Sequence, residues 1–419
     1  MWEAVKKLKK TQTLILLILC LIFILQTSCM AVDMYTWAIT QETSSNIESA
    51  SMVNSVPNGE TGNTLNLESG SAILIEQTTG QILYGYNMHE QLRPASVTKI
   101  MSILLIMEQI ELEKMNYDTK ISCSEIAASM GGSQIWLDTS ETLTVEEMLK
   151  AICVVSANDC VMAMAEHIAG TEEAFVQMMN AKAQSLGMND TTFKNCHGLD
   201  ENGHVTSSHD IALMSRELLS KYPEITKYTT IYMDTLRNGE SQLVNTNKLL
   251  RTYEGCTGLK TGSTSLALYN LSASATRDGL SLIAVVMKGP TSAVRFAEAK
   301  KLLDYGFNNF EYKEFAKQGE TVKQVNIQKG IKTKVEAVFE KDVGILIPKG
   351  QGNSISQTIN LEESILAPIA AGETLGKVVY SLGETQLLEV NLISKEEVKK
   401  LNMFTMTGKI YEQWFKLLR

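Results

Sequence analysis

The chain contains no CxxC pair, no HExxH pattern, no basic stripe and no repeat at a fixed period. Without paired cysteines there is no thiolate zinc framework. Without HExxH the usual helical zinc-peptidase centre is missing, and His197, His204 and His209 beside Asp210 read as loop-packing residues rather than a metal set. Lys plus Arg total 38 against 47 Asp plus Glu, a formal net charge of −9, so the electrostatic footprint of a nucleic-acid binder is absent. The lack of a period excludes a solenoid. No metal or organic cofactor is expected.

Long apolar runs are also scarce. Residues 14–25 form a short, nearly unbroken one behind Lys6, Lys7, Lys9 and Lys10. The run is shorter than the ~20 residues of a spanning helix, and its basic flank is that of an export signal. Residues 1–31 are read as a signal peptide, the competing reading being an uncleaved anchor. Three processing sites stand: a lipid-modified Cys29 after Thr27-Ser28, or a cut after Ala31 or Ala38. Seven cysteines are present, and Cys20 and Cys29 lie in or beside this segment. The other five, Cys123, Cys153, Cys160, Cys196 and Cys256, show no pairing pattern and read mostly as small apolar fillers.

What is there is ordinary globular chemistry: 419 residues, 44% hydrophobic and 20% charged, enough for two folded domains. Residues 32–66 are rich in Ser, Thr, Asn and Glu and read as a flexible linker. From there the spacing predicts a hairpin over residues 72–84 around Thr78-Thr79-Gly80, then a helix over 100–107 that is apolar almost all round. Thr144 and Glu147 predict a capping box. Further helices are expected over 172–186 and 209–219. A hairpin is expected through Arg277-Asp278-Gly279, and a helix over 293–305. Residues 67–308 are thus one mixed α+β unit, an antiparallel sheet covered by helices. Residues 309–395 alternate in short stretches and predict a small all-β domain. Residues 396–419 mix Leu401, Phe404, Ile410, Trp414 and Leu417 with Lys399, Lys409, Lys416 and Arg419. They read as an amphipathic segment on a membrane surface, the alternative being a helix docked on the β domain.

Three short motifs carry chemistry: Ser96-Val97-Thr98-Lys99, Ser156-Ala157-Asn158 and Lys260-Thr261-Gly262, separated by about 60 and then about 100 residues. Positions i and i+3 share a helix face, so Lys99 can reach Ser96. A serine hydroxyl needs a base, and a lysine amine serves only when burial and a neighbouring cation such as Lys260 keep it neutral. Ser156 is expected to relay a proton, Asn158 to hold a substrate amide, and Lys260 and Thr261 to face a carboxylate. Gly262 would allow a close backbone approach. The backbone N–H groups of Ser96 and Ser263 are the expected oxyanion donors, and the third motif is expected on a sheet edge.

With these motifs the chain resembles the low-molecular-mass penicillin-binding proteins, specifically serine D-alanyl-D-alanine carboxypeptidases. Arg93-Pro94-Ala95-Ser96, and His197-Gly198-Leu199-Asp200 through His204-Val205-Thr206 and Asp210, resemble further family stretches. The resemblance implies a serine β-lactamase-like fold, peptidoglycan stem peptides ending in D-Ala-D-Ala as substrate, covalent inhibition by penicillins, and no cofactor. It also implies a β-rich second domain and a site outside the cell, at the outer face of the cytoplasmic membrane or the wall. One departure stands: the arginine that relatives carry before the last catalytic strand would fall near Ser281, and Arg277 is the nearest substitute. The rival readings are a D,D-endopeptidase or a β-lactamase on the same fold, and a non-catalytic wall-binding module. No glutamate is identified for the deacylation that a class A β-lactamase needs.

Overall fold

A computed structural model describes residues 59–403, 406–408 and 414. The expected signal peptide, most of the expected linker and most of the C-terminal segment lie outside the described residues. By contacts the chain divides into two units, Asn54–Lys323 with Val338–Ile355, and Gln324–Ala337 with Ser356–Arg419.

The first unit is built on strands β1 (Ser71–Glu76), β2 (Ile82–Tyr86), β7 (Cys256–Thr264), β8 (Leu268–Arg277) and β9 (Leu280–Gly289). They form an antiparallel sheet in the order β2-β1-β9-β8-β7. Two short pairs accompany it, β3 (Lys120–Ser122) with β4 (Thr142–Thr144) and β5 (Met233–Leu236) with β6 (Ser241–Val244). The longer helices are α1 (Lys99–Glu111), α2 (Val145–Val154), α3 (Asn158–Ala169), α4 (Glu172–Ser185), α5 (Ser208–Lys221) and α6 (Ser292–Asn309).

Both expected hairpins form. Arg277 pairs with Leu280 across a two-residue loop, and Asp278 and Gly279 both take positive φ, as a turn matching the strand twist requires. Because side chains alternate across a strand, β1 feeds two cores. Ile73 and Ile75 join Ile283, Val285 and Met287 against the α1 side, whereas Ala72 and Leu74 join Leu271, Ala273 and Leu282 against Leu302, Leu303 and Phe307 of α6. Residues 59–66, expected within the linker, are tied down: Thr61 N–H donates to the Gly85 carbonyl, and Asn63 Oδ1 accepts from Leu67 N–H.

Helix α1 is buried from Lys99 through Met107. Each buried Leu, Ile or Met contributes about 1.5–3 kcal/mol, which offsets the cost of drawing the Lys99 amine out of water. Helix α2 opens with the expected capping box: Glu147 N–H donates to Thr144 Oγ1, and Thr144 N–H donates back to Glu147 Oε2.

Beyond α6 the chain is mostly β: β10 (Phe310–Ala316), β11 (Thr321–Gln328), β12 (Lys334–Phe339), β13 (Val343–Pro348), β14 (Ile355–Leu361), β15 (Ser364–Leu366), β16 (Thr374–Leu382) and β17 (Thr385–Ser394). Strands β10 and β13 pair with each other and fall in the first unit, while the rest form one six-stranded sheet in the order β14-β16-β17-β12-β11-β15. Among the described residues no helix is long and apolar enough to cross a membrane. In the C-terminal segment Val398 is buried and bridges to Ile369, whereas Met403, Met406 and Trp414 are exposed.

Candidate active site

The three motifs arrive from three elements. Ser96 lies in a single 3-10 turn, Ala95–Thr98, that runs into α1. Ser156 sits in the break between α2 and α3, with Asn158 opening α3. Lys260, Thr261 and Gly262 lie on β7, an edge strand of the sheet as expected. Ala95 (φ 49°) and Ser156 (φ 66°) both hold left-handed backbone, a cost that tight surroundings must sustain.

Lys99 is fully buried, and its Nζ has three neighbours: Asn158 Oδ1 at 2.5 Å, the His197 carbonyl at 2.6 Å and Ser96 Oγ at 3.0 Å. A neutral amine has two N–H donors and one lone pair. The two shorter partners can only accept, which leaves the lone pair for the Ser96 hydroxyl proton. Burial first, and then the charge of Lys260, hold the Lys99 amine well below its ordinary value of 10.5. Lys260 is equally buried; burial, with Arg295 pushing the same way, lowers it to about 7. Its Nζ donates to the Thr261 carbonyl (2.9 Å), and the Thr261 and Thr246 hydroxyls are 2.7 Å apart.

Gly262 explains how β7 meets the turn that carries Ser96. A Cβ there would stand 2.8 Å from Val97 N, 2.9 Å from Pro94 O and 2.9 Å from Ser96 N, all main-chain atoms. Only a residue without a side chain lets the strand lie against this turn. Ser263 follows as an exposed residue opposite Tyr269. Ser156 Oγ is buried and has no hydrogen-bond partner among the described residues. Asn158 has both ends of its amide engaged, Oδ1 by Lys99 and Nδ2 by the Gly131 carbonyl (2.7 Å). The role visible for it is therefore to orient the lysine.

The stretch from Asn195 to His204 contributes more than the sequence reading assigned to it. The Cys196 carbonyl accepts from Ser102 Oγ (2.6 Å), one turn along α1 from Lys99, and the next carbonyl, that of His197, accepts from Lys99 itself. His204 Nδ1 accepts from Lys194 N–H (2.9 Å), so its Nε2–H donates to Thr98 Oγ1 (2.8 Å), whose hydroxyl donates to the Ala95 carbonyl (2.8 Å). Burial lowers His204 to about 4 and His197 to about 3, so both are neutral struts at pH 7. Gly198 (φ 90°) is required here as well, since a Cβ would lie 2.0 Å from the Ala95 carbonyl oxygen.

Arg277 does not take the place of the missing arginine. It lies five residues beyond Ser272, the partner of Lys260, which is roughly 17 Å along the strand. There its guanidinium packs over the Tyr253 and Phe307 rings and donates to the Glu254 carbonyl. The arginine behind the third motif is Arg295, in the first turn of α6. It is buried, and its Nη1 donates to the carbonyls of Gly262 (3.1 Å) and Asn270 (3.2 Å). Burial lowers it to about 10, which leaves it cationic at neutral pH. No local pattern marks Arg295; only the return of α6 across the sheet brings it to β7.

The five cysteines among the described residues are free, and burial raises their thiols, Cys153 to about 12, in keeping with their reading as fillers.

Comparison with known proteins gives a consistent set of matches. Residues 58–291 match the family model described as D-alanyl-D-alanine carboxypeptidase, and residues 310–400 match that of the penicillin-binding protein 5 C-terminal domain. D-alanyl-D-alanine carboxypeptidase DacF of Bacillus subtilis is 43% identical over 353 residues, 83% of this chain and 90% of the relative. D-alanyl-D-alanine carboxypeptidase DacC of Escherichia coli is 30% identical over 82% of this chain and 88% of its own length. Among solved structures, penicillin binding protein 5 from Haemophilus influenzae superposes with a TM-score of 0.70 at 32% identity, over 80% of this chain and 98% of that one.

Proposed function

Since the chain belongs to the D-alanyl-D-alanine carboxypeptidase family, we propose that Ser96 is the nucleophile with which it removes the terminal D-alanine from peptidoglycan stem peptides. The protein is a serine D-Ala-D-Ala carboxypeptidase of the penicillin-binding type. The observation that carries the residue assignment is the Lys99 amine, buried and depressed in pKa, with two hydrogens committed and its remaining position 3.0 Å from Ser96 Oγ.

In this reading neutral Lys99 takes the Ser96 proton as Oγ attacks the carbonyl of the penultimate D-alanine. Main-chain N–H groups of Ser96 and Ser263 hold the oxyanion. Ser156 Oγ, buried and without a hydrogen-bond partner among the described residues, passes the proton to the departing amine. D-Alanine leaves, and water then hydrolyses the ester to release the trimmed peptide and free Ser96. Lys260 and Thr261 face the substrate carboxylate, with Arg295 adding positive charge behind β7 through its hold on the Gly262 carbonyl. Asn158 orients Lys99 and contacts the peptide. A penicillin enters the same path and stops at the ester.

Export by the N-terminal segment, action at the outer face of the cytoplasmic membrane or the wall, and contact of the C-terminal segment with the membrane surface belong to this proposal. The exposed Met403, Met406 and Trp414 support the last of these. The division of the chain near residue 309 is part of the same reading.

Intact-protein mass spectrometry after exposure to penicillin tests it. One penicilloyl adduct per chain is expected, mapped to Ser96 and absent from a folded Ser96→Ala variant, together with release of D-alanine from a D-Ala-D-Ala peptide by the wild type. An adduct that persists in Ser96→Ala overturns the assignment. Rapid continuous turnover of penicillin would instead mark a β-lactamase.

A further inference from the structure

Apart from the three motifs, the fold gathers His89, Asp190 and His209 from three separate stretches of chain. Each offers one ligand atom, and these atoms all lie within 4.8 Å of one another. His89 Nδ1 is 2.8 Å from Asp190 Oδ2, and the two imidazole rings lie with centroids 4.6 Å apart. The sequence reading grouped His209 with His197, His204 and Asp210 as loop-packing residues; it had no means of adding His89, more than a hundred residues away.

The surroundings hold all three in place. His209 Nδ1 is 3.1 Å from Oδ1 of the fully buried Asp210. The other Asp210 oxygen accepts from Asp190 N–H (2.8 Å) and the Thr191 hydroxyl (2.7 Å). The Ser207 hydroxyl donates to Asp190 Oδ2 (3.0 Å). His209 N–H donates to the Met88 carbonyl (3.0 Å), next to His89. A carboxylate behind a histidine and a hydroxyl on a carboxylate are the outer partners that orient metal ligands.

We propose that His89, Asp190 and His209 form a zinc-binding site that clamps the approach to the nucleophile turn. Two imidazoles and one carboxylate are a ligand set that suits Zn²⁺. At bond lengths near 2.0–2.2 Å, tetrahedral ligand atoms stand roughly 3.4 Å apart, so the present spacing closes with small side-chain rotations. His89 is exposed and the other two are half-buried, so the ion exchanges with solvent and takes water as its fourth ligand. Among the described residues none of the three hydrogen-bonds a residue of the catalytic motifs, which makes the role structural. The ion would join the stretch that leads into Pro94-Ala95-Ser96 to the one that carries His197 and His204, already linked where Leu92 bridges Thr206.

Titration of the metal-stripped full chain with Zn²⁺ tests the site, with His89→Gln and His209→Gln in parallel and penicillin acylation as the check on folding. One saturable equivalent is expected, weakened at least tenfold in either variant. At free Zn²⁺ a hundredfold above the dissociation constant, the wild-type folding equilibrium should shift about a hundredfold toward the native state. A second measurement needs no variant: Zn²⁺ should protect His89 and His209 of the wild type from diethylpyrocarbonate, read by peptide mass mapping. Absence of saturable uptake, equal uptake by wild type and both variants, or no protection would leave His89 and Asp190 a plain ion pair and overturn the proposal.

Discussion

Replacing Gly262 with alanine should slow acylation while leaving a folded protein. The added Cβ would meet Val97 N at 2.8 Å, Pro94 O at 2.9 Å and Ser96 N at 2.9 Å. Non-bonded carbon contacts prefer about 3.5–4.0 Å, so either β7 or the turn that carries Ser96 must give way by more than about 0.5 Å. All three atoms are main chain, so no rotamer change relieves the clash. Overpacking of this kind costs about 1–3 kcal/mol of stability. A displacement approaching 1 Å at the reacting groups costs on the order of a hundredfold in rate, about 2.7 kcal/mol of barrier. The assay is the second-order rate constant for labelling by a fluorescent penicillin, with the melting temperature measured alongside. Gly279→Ala is the control. Its φ of 80° makes alanine strained, but a Cβ there meets nothing within 4 Å, so it should lower stability and leave acylation unchanged. Labelling of Gly262→Ala within threefold of wild type, at an unchanged melting temperature, would refute the packing argument.

Two further outcomes follow from the buried bases. Lys260 loses its charge as pH rises through about 7, so kcat/KM on a D-Ala-D-Ala peptide should carry a descending limb there. Lys260→Arg stays cationic and should remove that limb; a limb unchanged in the variant contradicts the assignment. His204 is held near 4, below its ordinary 6.5. Between those values the unfolded chain takes up a proton that the folded protein refuses, so stability is lost as pH falls from 6.5 toward 4, on the order of 2–3 kcal/mol from this residue. Urea denaturation at pH 7 and pH 4.5 should therefore show a smaller acid loss in His204→Gln than in wild type, and equal losses would contradict a neutral strut.

The catalytic unit was legible in the sequence wherever local rules govern it. The hairpin of β8 and β9 follows from Asp278-Gly279, the start of α2 from Thr144 and Glu147, and the burial of α1 from its unbroken apolar surface. Ser96 and Lys99 meet because three residues make nearly one helical turn. Ser156, Asn158 and the third motif were legible as members of a set, not from local chemistry. What stayed hidden depends on long-range closure. Arg295 reaches Gly262 only because α6 folds back across the sheet, and sequence proximity drew attention to Arg277, which lies at the far end of the strand. The service of the His197 carbonyl to Lys99 is a main-chain contact, and a main-chain contact leaves no residue type to read. His204 shows as a histidine in the sequence, but its neutrality is set by burial, which only the packed loop supplies. The six-stranded sheet was legible as β from its alternation, whereas its order, with the parallel pair β11 and β15, was not.

The rate of Ser96 acylation by penicillin, followed across pH in wild type and in Lys99→Met, tests most directly whether an uncharged lysine is the base. The wild-type rate should rise on the acid side with a midpoint well below 10.5, the ordinary lysine value, and the variant should lose this limb along with at least ~10²–10⁴-fold in rate. A wild-type rate still climbing through pH 10.5, or a Lys99→Met protein that acylates within tenfold of wild type, would contradict it.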